Sequence, residues 1–322
     1  MTSAPPALTP RHLIHVLWLG PIAIVFLAAF VLIAIIVRDF PAVREFIEQF
    51  PGQSELPAGA PVGIPAWLGW QHFLSSFFLL LILRTGWTIR TTTRPEVFWT
   101  RNNEGLVRTK YPPTRLSLAA WLHLSIDVLW VLNGVVFIVL IFVTGQWVRI
   151  VPTSWDIIPN AVSTAIQYAS LDWPTENGWV NYNALQVLAY FATVFIAAPL
   201  AIVSGIRLSP LWSQRMAPVN RFYPVKWARA VHYPVMLYFV LFTIAHVGLV
   251  FATGALRNLN HMYASRDDGG WLGFIIFAGS VVLMIAVWLL ARPSILKPIA
   301  SLTGTVSEGR QRRLPNSTGA ST

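Results

Sequence analysis

Four histidines lie inside long apolar stretches of this chain: His72, His123, His232 and His246. An ionisable side chain inside bilayer hydrocarbon is expensive and marks a functional candidate by default. The spacing of the last two is informative. Fourteen helical residues at about 100° each come within about 40° of whole turns, so His232 and His246 leave one face of one helix. At about 1.5 Å per residue they stand about 21 Å apart along its axis. One helix therefore offers a ligand near each of its ends, and His72 and His123 offer one each elsewhere. Neutral imidazole is a good ligand for haem iron, and bundle cores are where such groups sit. The chain has no cysteine. That excludes disulfides, Cys-ligated iron–sulfur clusters and covalent c-type haem. Two pairs of histidines facing across a bundle point to two axially ligated, non-covalent haems. The plainer reading of any one membrane histidine is an interhelical hydrogen bond worth roughly 0.6–2 kcal/mol.

The elements that must position these rings follow from composition. Of 322 residues, 55% are hydrophobic and 11% charged, where a soluble domain carries about 25% charged residues. Too little polar surface exists to cover a soluble core of this size, which leaves a polytopic membrane protein. Six stretches reach the ~20 residues needed to span a bilayer: Leu13–Val37, Trp67–Ile89, Leu116–Val143, Ala184–Ile206, Val231–Thr253 and Trp271–Ala291. Strand-period alternation is absent, so the expected fold is all-α, a transmembrane helical bundle with a four-helix core around the histidines. The first stretch is longer than the ~7–15 residue apolar region of a signal peptide and reads as an uncleaved span.

The net charge of +10 is partitioned. Eighteen of the 23 Lys and Arg fall near the start, in loops 90–115 and 207–229, at Arg84, or after residue 291, whereas the other loops hold five Lys or Arg and nine of 13 acids. This partition reads as membrane topology, not as a nucleic-acid surface, and places both termini in the cytoplasm. The depths then pair without adjustment. His72 and His246 lie near the outer surface, His123 and His232 near the inner one.

Other residues carry weaker expectations. Asp127, one turn after His123, is placed to accept that ring's N–H as a supporting partner, to carry a proton, or simply to pair with Asn133 or a basic loop group. Gly86, Gly134, Gly205 and Gly248 leave room either for flat macrocycles or for close helix packing. Arg84, Arg90 and Arg229 suit haem propionates or ordinary positive-inside anchoring. His12, His15 and His261 are expected near the membrane surfaces, interfacial or solvated, with His15 and His261 near enough for a quinone as the sharper alternative. Residues 149–182, with Trp155, Tyr168, Trp173 and Trp179, suit a short interfacial helix. Residues 38–66 are Pro- and Gly-rich after an acidic patch. The polar segment after Lys297 reads as disordered. The expected organisation is a first helix and outer loop over 1–66, a di-haem core over 67–253, a sixth helix within 254–291 and a cytoplasmic tail over 292–322.

The histidine set resembles the di-haem b-type cytochromes that serve as membrane subunits of nickel–iron hydrogenases, formate dehydrogenases and thiosulfate reductases, a family grouped with bacterial cytochrome b561. The resemblance covers roughly 67–253. It is carried by His72 in WQHFLSSFFLLLILRTGW, His123 in WLHLSIDVLWVLNG, and the pair in VHYPVMLYFVLFTIAHVGLVFATG. It implies two haem b held in crossed pairs, location in a bacterial cytoplasmic membrane, and electron exchange between a quinone pool and a redox partner of the molybdenum-enzyme or hydrogenase type. It further implies that the partner docks beside the His123/His232 haem and that quinone reacts nearer His72/His246. The first and sixth helices depart from the four-helix pattern, and the first inverts the core relative to it. Two readings of other classes stand beside this one: a proton- or solute-conducting transporter, and a membrane anchor without haem. The transporter reading lacks paired Gly/Pro-broken helices in matching halves.

Overall fold

In this computed structural model the described residues are 10–104, 108, 112–173, 177–210, 212 and 217–309, with the side chains of 10–17 and 217 also outside the description. The chain runs through α1 (Pro10–Arg38), α2 (Pro41–Gln49), α3 (Ala66–Thr91), β1 (Val97–Arg101), β2 (Leu116–Ser117), α4 (Leu118–Val143), α5 (Ile157–Ala169) and α6 (Ala184–Phe191). A π-helical stretch, Ala192–Ala197, leads into α7 (Ala198–Leu208), followed by α8 (Ala217–Phe222), α9 (Val225–Ala252) and α10 (Ala255–Leu259). A second π-helical turn, Asn260–Ala264, precedes α11 (Leu272–Leu290), α12 (Pro293–Ser301) and β3 (Gly304–Glu308).

The protein is an all-α polytopic membrane protein. Among the described residues six helical segments are long and apolar enough to cross a bilayer: Trp18–Arg38, Ala66–Thr91, Leu118–Val143, Ala184–Leu208, Val225–Ala252 and Leu272–Leu290. They coincide with the six expected spans to within a few residues at most ends. Their side chains are largely exposed, as lipid-facing helices require. The π-helical stretch inside the fourth span ends where Pro199, lacking a backbone N–H, enters the next turn. The expansion accommodates the proline ring and its missing donor.

The chain divides into two compact units. One comprises Met1–Val62 with Thr144–Val194, the other Gly63–Val143 with Phe195–Thr322. In the first unit α5 is the helix expected within 149–182, and it buries its polar face. Asn160 and Thr164 bind the backbone of Gly52, and Gln167 binds Pro51 O at 3.3 Å. Ile158 and Val162 are left facing outward.

The second unit holds all four candidate histidines. Its middle is a packed apolar layer of Ala197, Val235 and Phe239, with Leu79, Trp130, Ala201 and Tyr238 against it. Beyond residue 291 the expectation of disorder is overturned as far as residue 309. Strand β3 pairs antiparallel with β1, placing Trp99 opposite Val306 on one side and Leu116 on the other. Leu296, Ala300 and Val306 close over Trp99, Leu118 and Trp121, and Trp99 Nε1 donates to Ala300 O at 3.0 Å. Average polarity hid the reason: a few apolar side chains at helix and strand spacing suffice to dock this segment. The remainder of that tail, 310–322, lies outside the described residues.

Candidate functional site

Helices α3 and α9 bring His72 and His246 together. Their ring centroids are 6.1 Å apart with planes inclined at 53°. The His246 ring stacks on Phe242, centroids 5.6 Å apart and 6° from parallel. The His72 ring meets the edge of Tyr263 at 6.0 Å. His72 Nδ1 is buried and has no hydrogen-bond partner. This is the first of the two pairings expected from depth.

His123 on α4 and His232 on α9 are each seated against a neighbouring helix in the same manner. Thr85 Oγ1 of α3 lies 2.8 Å from His123 Nδ1. Ser204 Oγ of α7 lies 2.9 Å from His232 Nδ1. Each hydroxyl is followed by a glycine under the ring. A Cβ added at Gly86 would stand 3.3 Å from His123 Cε1, and one at Gly205 would stand 3.4 Å from His232 Cε1. His123 and Asp127 both lie close enough to His232 to act on it electrostatically.

Asp127 is not the supporting partner that the sequence allowed. It faces Nε2 of His123 at 3.7 Å, beyond hydrogen-bond length, while Nδ1 belongs to Thr85. Nor does it pair with Asn133, which donates to Ser75 Oγ at 2.9 Å. Gly86 and Gly205 hold the histidine rings themselves. Gly134 and Gly248 have nothing within 4 Å of an added Cβ. Arg84 donates to Ala291 O at 2.9 Å and lies over the Trp288 ring. Arg90 lies over the Tyr233 ring, 3.8 Å from its centroid. Arg229 is exposed.

His261 is not solvated. It is buried, with Nε2 2.7 Å from Asp267 Oδ1, and the same oxygen accepts from Arg257 Nε at 2.7 Å. That hydrogen bond holds the exposed Arg257 guanidinium above its ordinary value. The second π-helical turn folds back against the ends of α3 and α11. Gly69 and Gly273 permit this, since a Cβ at either would overlap the backbone of Met262 or of Leu259 and Asn260. The fold-back sets Tyr263 beside His72, and burial pushes the Tyr263 phenol above its ordinary value. The side chains of His12 and His15 lie outside the described residues.

Sequence reasoning missed Thr85, Ser204 and Tyr263. A visible signal existed for the first two: a hydroxyl residue directly before a glycine, within otherwise apolar helices, at 85–86 and again at 204–205. Among the described residues no group of three or more His, Cys, Asp or Glu side chains is arranged to hold a metal ion. No protein-family model, curated protein or solved structure matches this chain.

Proposed function

We propose that this membrane protein is a b-type cytochrome carrying electrons across a bacterial cytoplasmic membrane, between a quinone pool and a redox partner subunit. The observation that carries this reading is the approach of His72 and His246, on the second and fifth spans, to a centroid separation of 6.1 Å. A metal group between the two rings would take one imidazole nitrogen from each at about 2.0 Å. A bare metal ion needs more protein ligands than two, whereas haem iron would need only these two from the chain. The buried, partnerless Nδ1 of His72 fits a ring whose chemistry is completed by a bound group, because an unsatisfied buried polar atom costs about 1–3 kcal/mol.

In this reading His72 and His246 hold one haem b, and His123 and His232 hold the other. When bound, each haem supplies a one-electron iron couple tuned by its axial ligands. The chain's own contribution is to aim four imidazoles, exclude water and keep the pairs at separate depths. The basic loops face the cytoplasm, with both termini on that side. The partner subunit meets the membrane beside His123 and His232, and quinone reacts nearer His72 and His246. Lipid covers the exposed apolar faces of the spans.

The test is direct. Protein purified in detergent should be red, give a b-type spectrum on dithionite reduction, and release two haems per chain into acid–acetone. A colourless, folded protein sinks the reading, and a pyridine-haemochrome ratio near one removes one of the pairs.

A further inference from the structure

Thr85 and Ser204 stand in environments that match atom for atom. Thr85 Oγ1 lies 2.8 Å from Leu81 O, 3.1 Å from Ile82 O and 2.8 Å from His123 Nδ1. Ser204 Oγ lies 2.6 Å from Leu200 O, 3.2 Å from Ala201 O and 2.9 Å from His232 Nδ1. Back-bonding of a helical hydroxyl to the carbonyl four residues earlier is ordinary. Ser76, Thr88, Ser125 and Thr243 all do it here. The two that differ are the two with a histidine nitrogen as a further contact and a glycine next in sequence.

The hydrogen-bond inventory fixes the proton. A hydroxyl has one hydrogen, and back-bonding uses it. The oxygen's remaining capacity is to accept, so Nδ1 is the donor. In each ring the Nδ1 therefore carries the proton and Nε2 carries the lone pair.

We infer that Thr85 and Ser204 are positioning residues: their hydroxyls fix the Nδ1–H tautomer of His123 and His232, while Gly86 and Gly205 leave the slots for the rings, so that both Nε2 lone pairs are presented to one shared haem. This rests on the cytochrome reading and adds to it a tuning device at the His123 and His232 site. A hydroxyl accepting from Nδ1–H makes the imidazole a stronger donor to iron, which favours the oxidised state and lowers the potential of that haem.

The experiment is a redox titration of the holoprotein in detergent, for Thr85→Val and Ser204→Ala. Each variant should raise the midpoint potential of one haem, and of the same haem, leaving the other in place. A tenfold change in the ratio of ferric to ferrous stabilisation corresponds to about 59 mV for a one-electron couple. Thr85→Ser and Ser204→Thr restore the hydroxyl and should restore the potential. The low-spin ferric resonance of that haem should move and return in step. If Thr85→Val instead loses one haem while Thr85→Ser keeps two, the hydroxyl is again the cause. Unmoved potentials, shifts in two different haems, or failure of both hydroxyl-keeping variants to restore wild-type behaviour overturn the inference. A wild-type protein without haem overturns the cytochrome reading instead, so the two failures are distinct.

Discussion

Replacing the four histidines singly and in pairs tests the crossed arrangement more sharply than any single variant. The magnitudes come from the helix. His232 and His246 share α9 and are fourteen residues apart, about 21 Å at 1.5 Å per residue. Sites more than about 7–10 Å apart without shared partners behave additively, whereas members of one site do not. A haem that has lost one axial ligand gains nothing from keeping the other if the pair is needed to retain it. His72→Ala and His246→Ala should each reduce haem from two per chain to about one, and the double variant should remain near one. His123→Ala and His232→Ala should behave likewise, on the other haem. His72→Ala with His232→Ala should reach zero. Pyridine haemochrome on protein that elutes as a single species in detergent gives the ratio, and the potential of the surviving haem says which was lost. A His72/His246 double variant with no haem, or a His72/His232 double variant that keeps one, refutes the pairing and the depth argument together.

Three further outcomes are expected. Gly86→Leu and Gly205→Leu should each expel the haem of His123 and His232, because even a Cβ lies 3.3 or 3.4 Å from the ring carbon, while Gly134→Ala, with nothing within 4 Å, should keep both haems; the haem ratio decides. Lys297 Nζ, 2.8 Å from Glu308 Oε1, holds that carboxyl below its ordinary range. The stabilisation is thus present above the carboxylate range and fades as pH falls through the depressed value, so a difference in melting temperature between wild type and Glu308→Gln at pH 7 should close in acid and in high salt. Cysteines introduced singly at exposed Thr93 and Ser154 meet no native thiol; an impermeant maleimide added to intact cells should label Ser154→Cys and spare Thr93→Cys, and the reverse pattern overturns the proposed orientation.

The spans were legible because their signal is one-dimensional: run length of apolar residues and the count of Lys and Arg between runs. The meeting of His72 with His246 was legible for the same reason, since depth follows from position along a span. The seats of His123 and His232 were not. They depend on α3 abutting α4 and α7 abutting α9, and on the phase at which Thr85 and Ser204 emerge, which a π-helical stretch before α7 resets. The seat of α5 was hidden because this helix turns its polar face inward. Asn160, Thr164 and Gln167 satisfy the backbone of the Pro–Gly segment at 51–52, where a periodicity argument would face them to water. The burial of His261 was hidden because the loop length gave no hint that it folds back to bring Nε2 within 2.7 Å of Asp267 Oδ1.

The layer between the two histidine levels bears on how independent the two sites are. Phe239 is seven residues after His232 and seven before His246, so on α9 it stands about 10.5 Å along the axis from each. It packs edge-to-face on Trp130 of α4, centroids 6.1 Å apart, and Trp130 is in turn seven residues from His123. Ala197, Ala198 and Ala201 of the π-helical stretch and α7 face this aromatic pair. Their small side chains let two large rings fill the bundle at half height. Such interiors pack as densely as organic crystals, with few voids larger than a water molecule. The hydroxyl contacts of Thr85 and Ser204 lie on the His123 and His232 side of this layer. In the cytochrome reading, an electron moving between the levels crosses these packed aromatic and aliphatic atoms.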